Sequence, residues 1–273
     1  MRSSLVGSEM CIRDREVRSA IVQPLQRENI RLAATVMLVR DDPSGLQVYM
    51  VKRPGRGDFP DLHVFPGGKV DQEDWQPELC PDLADAHASA RLGVSAGGLR
   101  YWVAVARECF EECGVLLANS DSGPVLLDSA QRSEWAELRQ QLLQGDLAWS
   151  EVLRQQKVTI ASDRLVYFSH WITPPSVPRR FDTRFFLAAM PADQSALADT
   201  EETADDGNWV NPRQALENAR SGEWQMIEPT KCSLETLSQY SKVEQALQEV
   251  GAERHVVPWS PEAGQQGMQP FRA

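Results

Sequence analysis

The sequence predicts one α/β domain with helical insertions, and three observations lead there. Short β-rich runs come in two pairs, Arg31–Arg40 with Leu46–Lys52 and Leu165–Ile172 with Phe181–Met190. Segments of helical period stand between and after these pairs. The later helices carry recognisable starts, such as Asn211-Pro212. The chain of 273 residues is long enough for one large domain or two small ones, and it shows no internal repeat and no linker.

Taken in order, residues 1–15 (MRSSLVGSEMCIRDR) hold no apolar stretch of signal-peptide length and read as a disordered, non-native tail. The domain is expected over 16–251, with insertions at about 75–98 and 119–160 and a polar tail over 252–273. The first two strands flank Asp41-Asp42-Pro43-Ser44-Gly45, a hairpin turn. A loop with two arginines leads to His63-Val64-Phe65-Pro66-Gly67-Gly68-Lys69-Val70, a short strand broken by Pro and paired glycines. Asp82–Leu92 is a candidate short helix, and Leu99–Leu117 a longer one that Gly114 can cap. Asp128–Leu143 and Trp149–Gln156 are helices with no catalytic constellation, expected to form a lid, wall or homodimer surface. After the short Asn208–Val210 strand come three helices, with Asn211-Pro212, Thr230 and the Ser241-x-x-Glu244 capping box as their starts.

Composition narrows the function. Hydrophobic content of 42% permits a sizeable core. A net charge of −11 argues against nucleic-acid and anionic-membrane partners. No run approaches the ~18–20 apolar residues that span a bilayer. The five cysteines show no metal-ligand spacing, and a reducing cytoplasm is the default location.

The chemistry concentrates in Arg107-Glu108-Cys109-Phe110-Glu111-Glu112-Cys113-Gly114-Val115. Glu108, Glu111 and Glu112 stand at i, i+3 and i+4, on one helical face, where three anions repel one another unless a cation sits over them. Ala106, Phe110, Cys113 and Leu117 form the apolar stripe beside them. Arg107 is four residues before Glu111 and can hold its carboxylate. A solvated charged face is the plain alternative, and the upstream glycine loop decides against it.

Strand, glycine loop and this helix together resemble the Nudix hydrolase family, whose signature reads G-x5-E-x7-R-E-U-x-E-E-x-G-U with U aliphatic. Arg107–Val115 matches the second half, with Cys109 at the first U. Gly68 matches the first half, with Asp74 in place of the usual Glu. Between Asp74 and Arg107 lie 32 residues instead of seven, an insertion of 25. The split signature, VFPGG and RFDTRFF resemble the coenzyme A diphosphatase branch, and the likeness spans roughly residues 29–240.

The resemblance implies an α/β/α sandwich with a mixed sheet and a hydrolase that opens a diphosphate in a nucleoside-diphosphate-type small molecule. It implies Mg²⁺ or Mn²⁺ held by Glu108, Glu111, Glu112 and the Gly68 carbonyl, with Glu111, Glu112 and Arg107 in the catalytic group. Glu112, Glu201 and Glu202 are the general-base candidates, Glu202 being the favoured loop residue. Arg53, Lys69 and Arg184 are the chosen phosphate cations, with Arg56 and Arg180 as further ones. Arg184 has an equal structural reading, as the strand partner of Asp182. His63 and His170 read as packed strand residues. Coenzyme A or acyl-coenzyme A leads the substrate expectation, with ADP-ribose, dinucleotides and nucleotide sugars as alternatives. A non-catalytic nucleotide-sensing module is disfavoured because all three glutamates are present.

Overall fold

The protein is described from a computed structural model covering residues 30–55, 60–198, 207–252, 256 and 258–259. The chain runs through β1 (Ile30–Asp42), β2 (Gly45–Lys52), β3 (His63–Val64), β4 (Gly67–Lys69), α1 (Asp85–Leu92) and α2 (Arg100–Cys113). It continues through β5 (Ala118–Ser120), β6 (Gly123–Pro124), α3 (Ser129–Leu143), α4 (Trp149–Gln155) and β7 (Thr159–Ile160). The last elements are β8 (Val166–Ile172), β9 (Arg180–Ala189), β10 (Asn208–Val210), α5 (Pro212–Ser221), α6 (Glu228–Leu237) and α7 (Val243–Gly251).

The main sheet is mixed, in the order β10-β2-β1-β9-β8. β1 is its axis. Along one edge it runs parallel to β9 from Ile30 to Val39. Along the other it pairs antiparallel first with β4, through Ala33–Thr35, and then with β2. Both faces of β1 are covered, which explains its nearly unbroken apolar reading. Ala34, Val36 and Leu38 face the layer built on α2, while Met37 and Val39 face the layer of α5, α6 and α7. The result is the expected α/β/α sandwich.

Between α2 and β8 the insertion carries α3, α4 and a small sheet ordered β6-β5-β7. Its helices pack onto α2 through aromatic rings, with Phe110 meeting Trp135 at 5.6 Å and Trp149 at 5.3 Å between centroids. Asp128 caps α3 with a full capping box, accepting from Gln131 N–H and donating its own N–H to the Gln131 side chain.

Several helix boundaries differ from the sequence reading, the first helix starting at Asp85 rather than Asp82. α2 stops at Cys113 because Gly114 turns left-handed (φ 67°), so Leu117 is buried beyond the helix and is not part of its stripe. Thr230 lies inside α6, which starts two residues earlier because Pro229 fits its first turn. Ser241 does not cap α7, whose cap position is Lys242. Instead Asp41 of β1 accepts the Val243 N–H at 3.1 Å, a cap supplied across the fold. Trp259, in the stretch read as a tail, is docked against β8. Its N–H donates to His170 O at 2.9 Å, and its carbonyl accepts from Ile172 N at 2.8 Å.

Candidate active site

The site forms where β4 crosses the carboxylate face of α2. Gly67 has φ 154°, and a side chain there would collide with the Ala34 carbonyl at 2.5 Å. A Cβ on Gly68 would fall within the Glu108 carboxylate. Gly67 therefore lets β4 lie close against β1, and Gly68 lets it lie close on the Glu108 side chain of α2. Gly67 N–H donates to Glu112 Oε2 at 2.8 Å, which joins the two halves of the split sequence pattern.

Arg107 organises the rest. Its Nε and Nη2 reach the two Asp74 oxygens at 2.9 and 3.1 Å, a bidentate pair. Nη1 donates to Glu108 Oε1 at 2.9 Å and to Glu111 Oε2 at 2.7 Å, and Nη2 also donates to the Lys69 carbonyl at 2.9 Å. Burial alone would lower the Arg107 pKa, but Asp74, Glu108 and Glu111 raise it, so it stays charged. Burial pushes the Asp74 carboxyl upward and Arg107 pulls it back. Asp74 thus anchors Arg107 across the 25-residue insertion.

These groups form one wall of a cleft of about 670 Å³. Glu108, Glu111, Glu112, Gly67, Gly68, Lys69, Arg107 and Arg53 all line it. Arg53 Nη2 also donates to Gly67 O at 3.2 Å, which ties the cationic side of the cleft to the glycine strand.

The expectation of Mg²⁺ or Mn²⁺ has a chemical test here. Burial raises the Glu108 carboxyl well above its usual range, and the charges of Glu112 and Glu111 add to the rise, with Arg107 opposing it. Such a wall is short of positive charge, and its donors are hard oxygens suited to a small divalent cation. Among the described residues no three acidic, His or Cys side chains already converge around an ion position. Arg107 holds Glu108 and Glu111, while the glycine strand holds Glu112. The residues fit the ion in donor chemistry and local charge.

The family model described as NUDT19 Nudix domain matches residues 96–237, more than half of the chain. The chain belongs to the Nudix hydrolase family. Among its relatives, a Caenorhabditis elegans protein provisionally named nudix hydrolase 7 is 29% identical over 194 residues, covering 71% of this chain and 56% of that protein. The Gallus gallus protein named acyl-coenzyme A diphosphatase NUDT19 is 26% identical over 267 residues, covering 78% of this chain and 69% of that one. The chain spans between 56% and 69% of the curated relatives it matches. A crystal structure of a Nudix hydrolase from Alicyclobacillus acidocaldarius superposes with a TM-score of 0.64 at 26% identity, covering 80% of this chain and 96% of that one.

Arg184 is a correction to the sequence reading of this Nudix domain. It is 3% exposed and does not line the cleft. It lies 5.2 Å from the Tyr101 ring centroid and contacts Asp182 and His170 closely. Its charge is absorbed by the strand partner at i−2, so the structural reading replaces the substrate one. Glu201, Glu202 and Arg56 lie outside the described residues. Sequence reasoning missed the apolar half of the cleft, where Trp171, Phe181, Phe185 and Trp259 stand. It also missed Arg139 of α3, whose Nε and Nη2 donate to the Glu111 carbonyl at 3.0 and 2.8 Å.

Proposed function

We propose that this chain is a divalent-metal-dependent hydrolase that opens the phosphoanhydride of coenzyme A or an acyl-coenzyme A. The observation that carries the reading is the Gly67–Glu112 hydrogen bond, which makes the glycine strand and the three-glutamate helix one wall of a cleft. The substrate class is supported by relatives from Xenopus laevis, Gallus gallus and Homo sapiens, each named acyl-coenzyme A diphosphatase.

Water attacking a phosphoanhydride adds a nucleophile to an anionic centre, so the site must neutralise charge and position the water. Glu108, Glu111 and Glu112, with the Gly68 carbonyl, would hold Mg²⁺ or Mn²⁺, which would supply that neutralisation and Lewis acidity. Arg107 fixes Glu108 and Glu111 so that their oxygens keep one orientation. Arg53 and Lys69 face the same cleft and offer cations to the phosphate oxygens. The proton of the attacking water goes to a carboxylate base, for which Glu112, Glu201 and Glu202 are the candidates.

The test is a Mg²⁺/Mn²⁺ activity screen over coenzyme A esters, ADP-ribose, dinucleotides and nucleotide sugars, with products identified by mass. The expected products from coenzyme A are 3′,5′-ADP and 4′-phosphopantetheine. Glu111→Gln and Glu112→Gln remove charge at nearly constant shape and should each lower kcat by about 100-fold or more, the scale on which catalytic electrostatic groups act. Full activity in both variants would remove these glutamates from the mechanism.

A further inference from the structure

We propose that Trp259 is a specificity-determining residue, whose indole forms the wall against which an apolar acyl group of the substrate lies. This rests on the hydrolase reading above and adds to it the place where the far end of the substrate is held.

The cleft is chemically two-sided. One end holds the glutamates and Arg107, and the other is walled by Trp171, Phe181, Phe185 and Trp259. The two indoles meet edge to face, with 4.7 Å between centroids and 61° between planes. Trp259 is held there by backbone pairing as well as by its ring contact with Trp171. Its N–H and carbonyl bond to His170 O and Ile172 N, the outer edge of β8. An edge strand offers unpaired groups of this kind, and the pairing sets one ring at a fixed position over the cleft. The ring is only partly buried, and it packs on the core beneath β8 and β9.

Two of the polar atoms beside these rings are already engaged. Thr173 Oγ1 accepts from Phe181 N at 3.0 Å, and Trp171 Nε1 donates to Ser169 Oγ at 3.2 Å. The surface offered by Trp171, Phe181 and Trp259 is therefore mostly carbon. A nucleobase also stacks on aromatic rings, a case that the free coenzyme A arm below separates, whereas an alkyl chain gains from each methylene removed from water. One continuous cleft with anion chemistry at one end and aromatic carbon at the other fits an acyl chain carried on a diphosphate.

The experiment compares full-length wild type, Trp259→Ala and Trp259→Phe on free coenzyme A and on acetyl-, octanoyl- and dodecanoyl-coenzyme A with Mg²⁺. The readout is the ratio of kcat/KM for the dodecanoyl ester to that for free coenzyme A, which cancels any loss of folded enzyme. Wild type should show a ratio that rises with chain length. Trp259→Ala should reduce the dodecanoyl ratio about ten-fold, mainly through KM, and Trp259→Phe should restore most of it, because aromatic carbon is what the chain meets. Equal ratios in wild type and Trp259→Ala would overturn the assignment. In parallel, dodecanoyl-coenzyme A and free coenzyme A are titrated in EDTA by indole fluorescence. If wild type hydrolyses no coenzyme A ester, the hydrolase reading fails while this titration still decides the binding role. Preference for the dodecanoyl ester lost in Trp259→Ala supports the role, and no preference in wild type overturns it.

Discussion

At the scale of single residues, buried charge decides which roles the chain can assign. Arg184 and Asp74 both sit where an ionised side chain needs a partner, and each has one. The Asp182–Arg184 pair was half legible in sequence, since i and i+2 share a face of a strand. The third member, His170, comes from the neighbouring strand, where it is the register partner of Arg184. Burial, reinforced by the Arg184 charge, lowers the His170 pKa to about 3. Its ring is therefore neutral near pH 7, with Nε2 in contact with both Arg184 and the Asp182 carboxylate, the latter at 2.7 Å. In the unfolded chain the ring titrates near ~6.5, so the unfolded state binds the extra proton between these two values. The stabilisation is complete above about pH 6.5 and is lost as pH falls toward about 3, at up to ~1.4 kcal/mol per pH unit. Urea midpoints measured from pH 7 to pH 5 should fall accordingly. His170→Gln keeps an acceptor for Arg184 and cannot titrate, so it should flatten that part of the curve. An unchanged slope in the variant would assign the acid sensitivity elsewhere.

At the scale of elements, legibility depended on how local the determining interaction is. β1, the β1–β2 turn and the Asn211 cap were readable because period, turn residue and cap lie within a few positions of one another. The α7 start was not, because its partner Asp41 is 202 residues away. The glycine strand and the glutamate helix were each readable alone, but the Arg107–Asp74 anchor joining them required the fold. Trp259 carried no signal, standing in a polar stretch with no periodicity around it. Arg139 is of the same kind: a guanidinium on the inserted α3 that satisfies a carbonyl in the last turn of α2. It links the insertion to the glutamate-bearing helix and places positive charge at that helix's C-terminal end. Arg139→Met should lower stability by about 1–2 kcal/mol and weaken Mn²⁺ binding through a loosened Glu111–Glu112 turn. Arg139→Lys should recover part of the stability by keeping the charge. Urea denaturation and Mn²⁺ titration of the same samples check both, and an unchanged Mn²⁺ affinity in the Met variant would confine Arg139 to a scaffold role.

At the scale of the whole molecule, the sheet, the two helical layers and the insertion converge on a wall that concentrates negative charge in a chain of net charge −11. Gathering Glu108, Glu111 and Glu112 on one face opposes folding, because the unfolded chain keeps them apart and hydrated. A divalent ion bound only by the folded state reverses that opposition, and its stabilisation follows RT ln(1 + [L]/Kd), or about 2.7 kcal/mol at a hundred-fold excess over Kd. Wild type should therefore melt at a higher temperature as Mg²⁺ rises, and EDTA should cancel the gain. Ionic screening alone would raise the melting temperature as well, so Na⁺ at matched ionic strength is the control. Glu112→Gln separates the two effects most cleanly. The Gln oxygen can still accept the Gly67 N–H, so the glycine strand stays seated, while one anion is gone. That variant should be at least as stable as wild type in EDTA and should gain much less from Mg²⁺. If it instead tracked wild type across the Mg²⁺ series, the ion would be bound somewhere other than this wall.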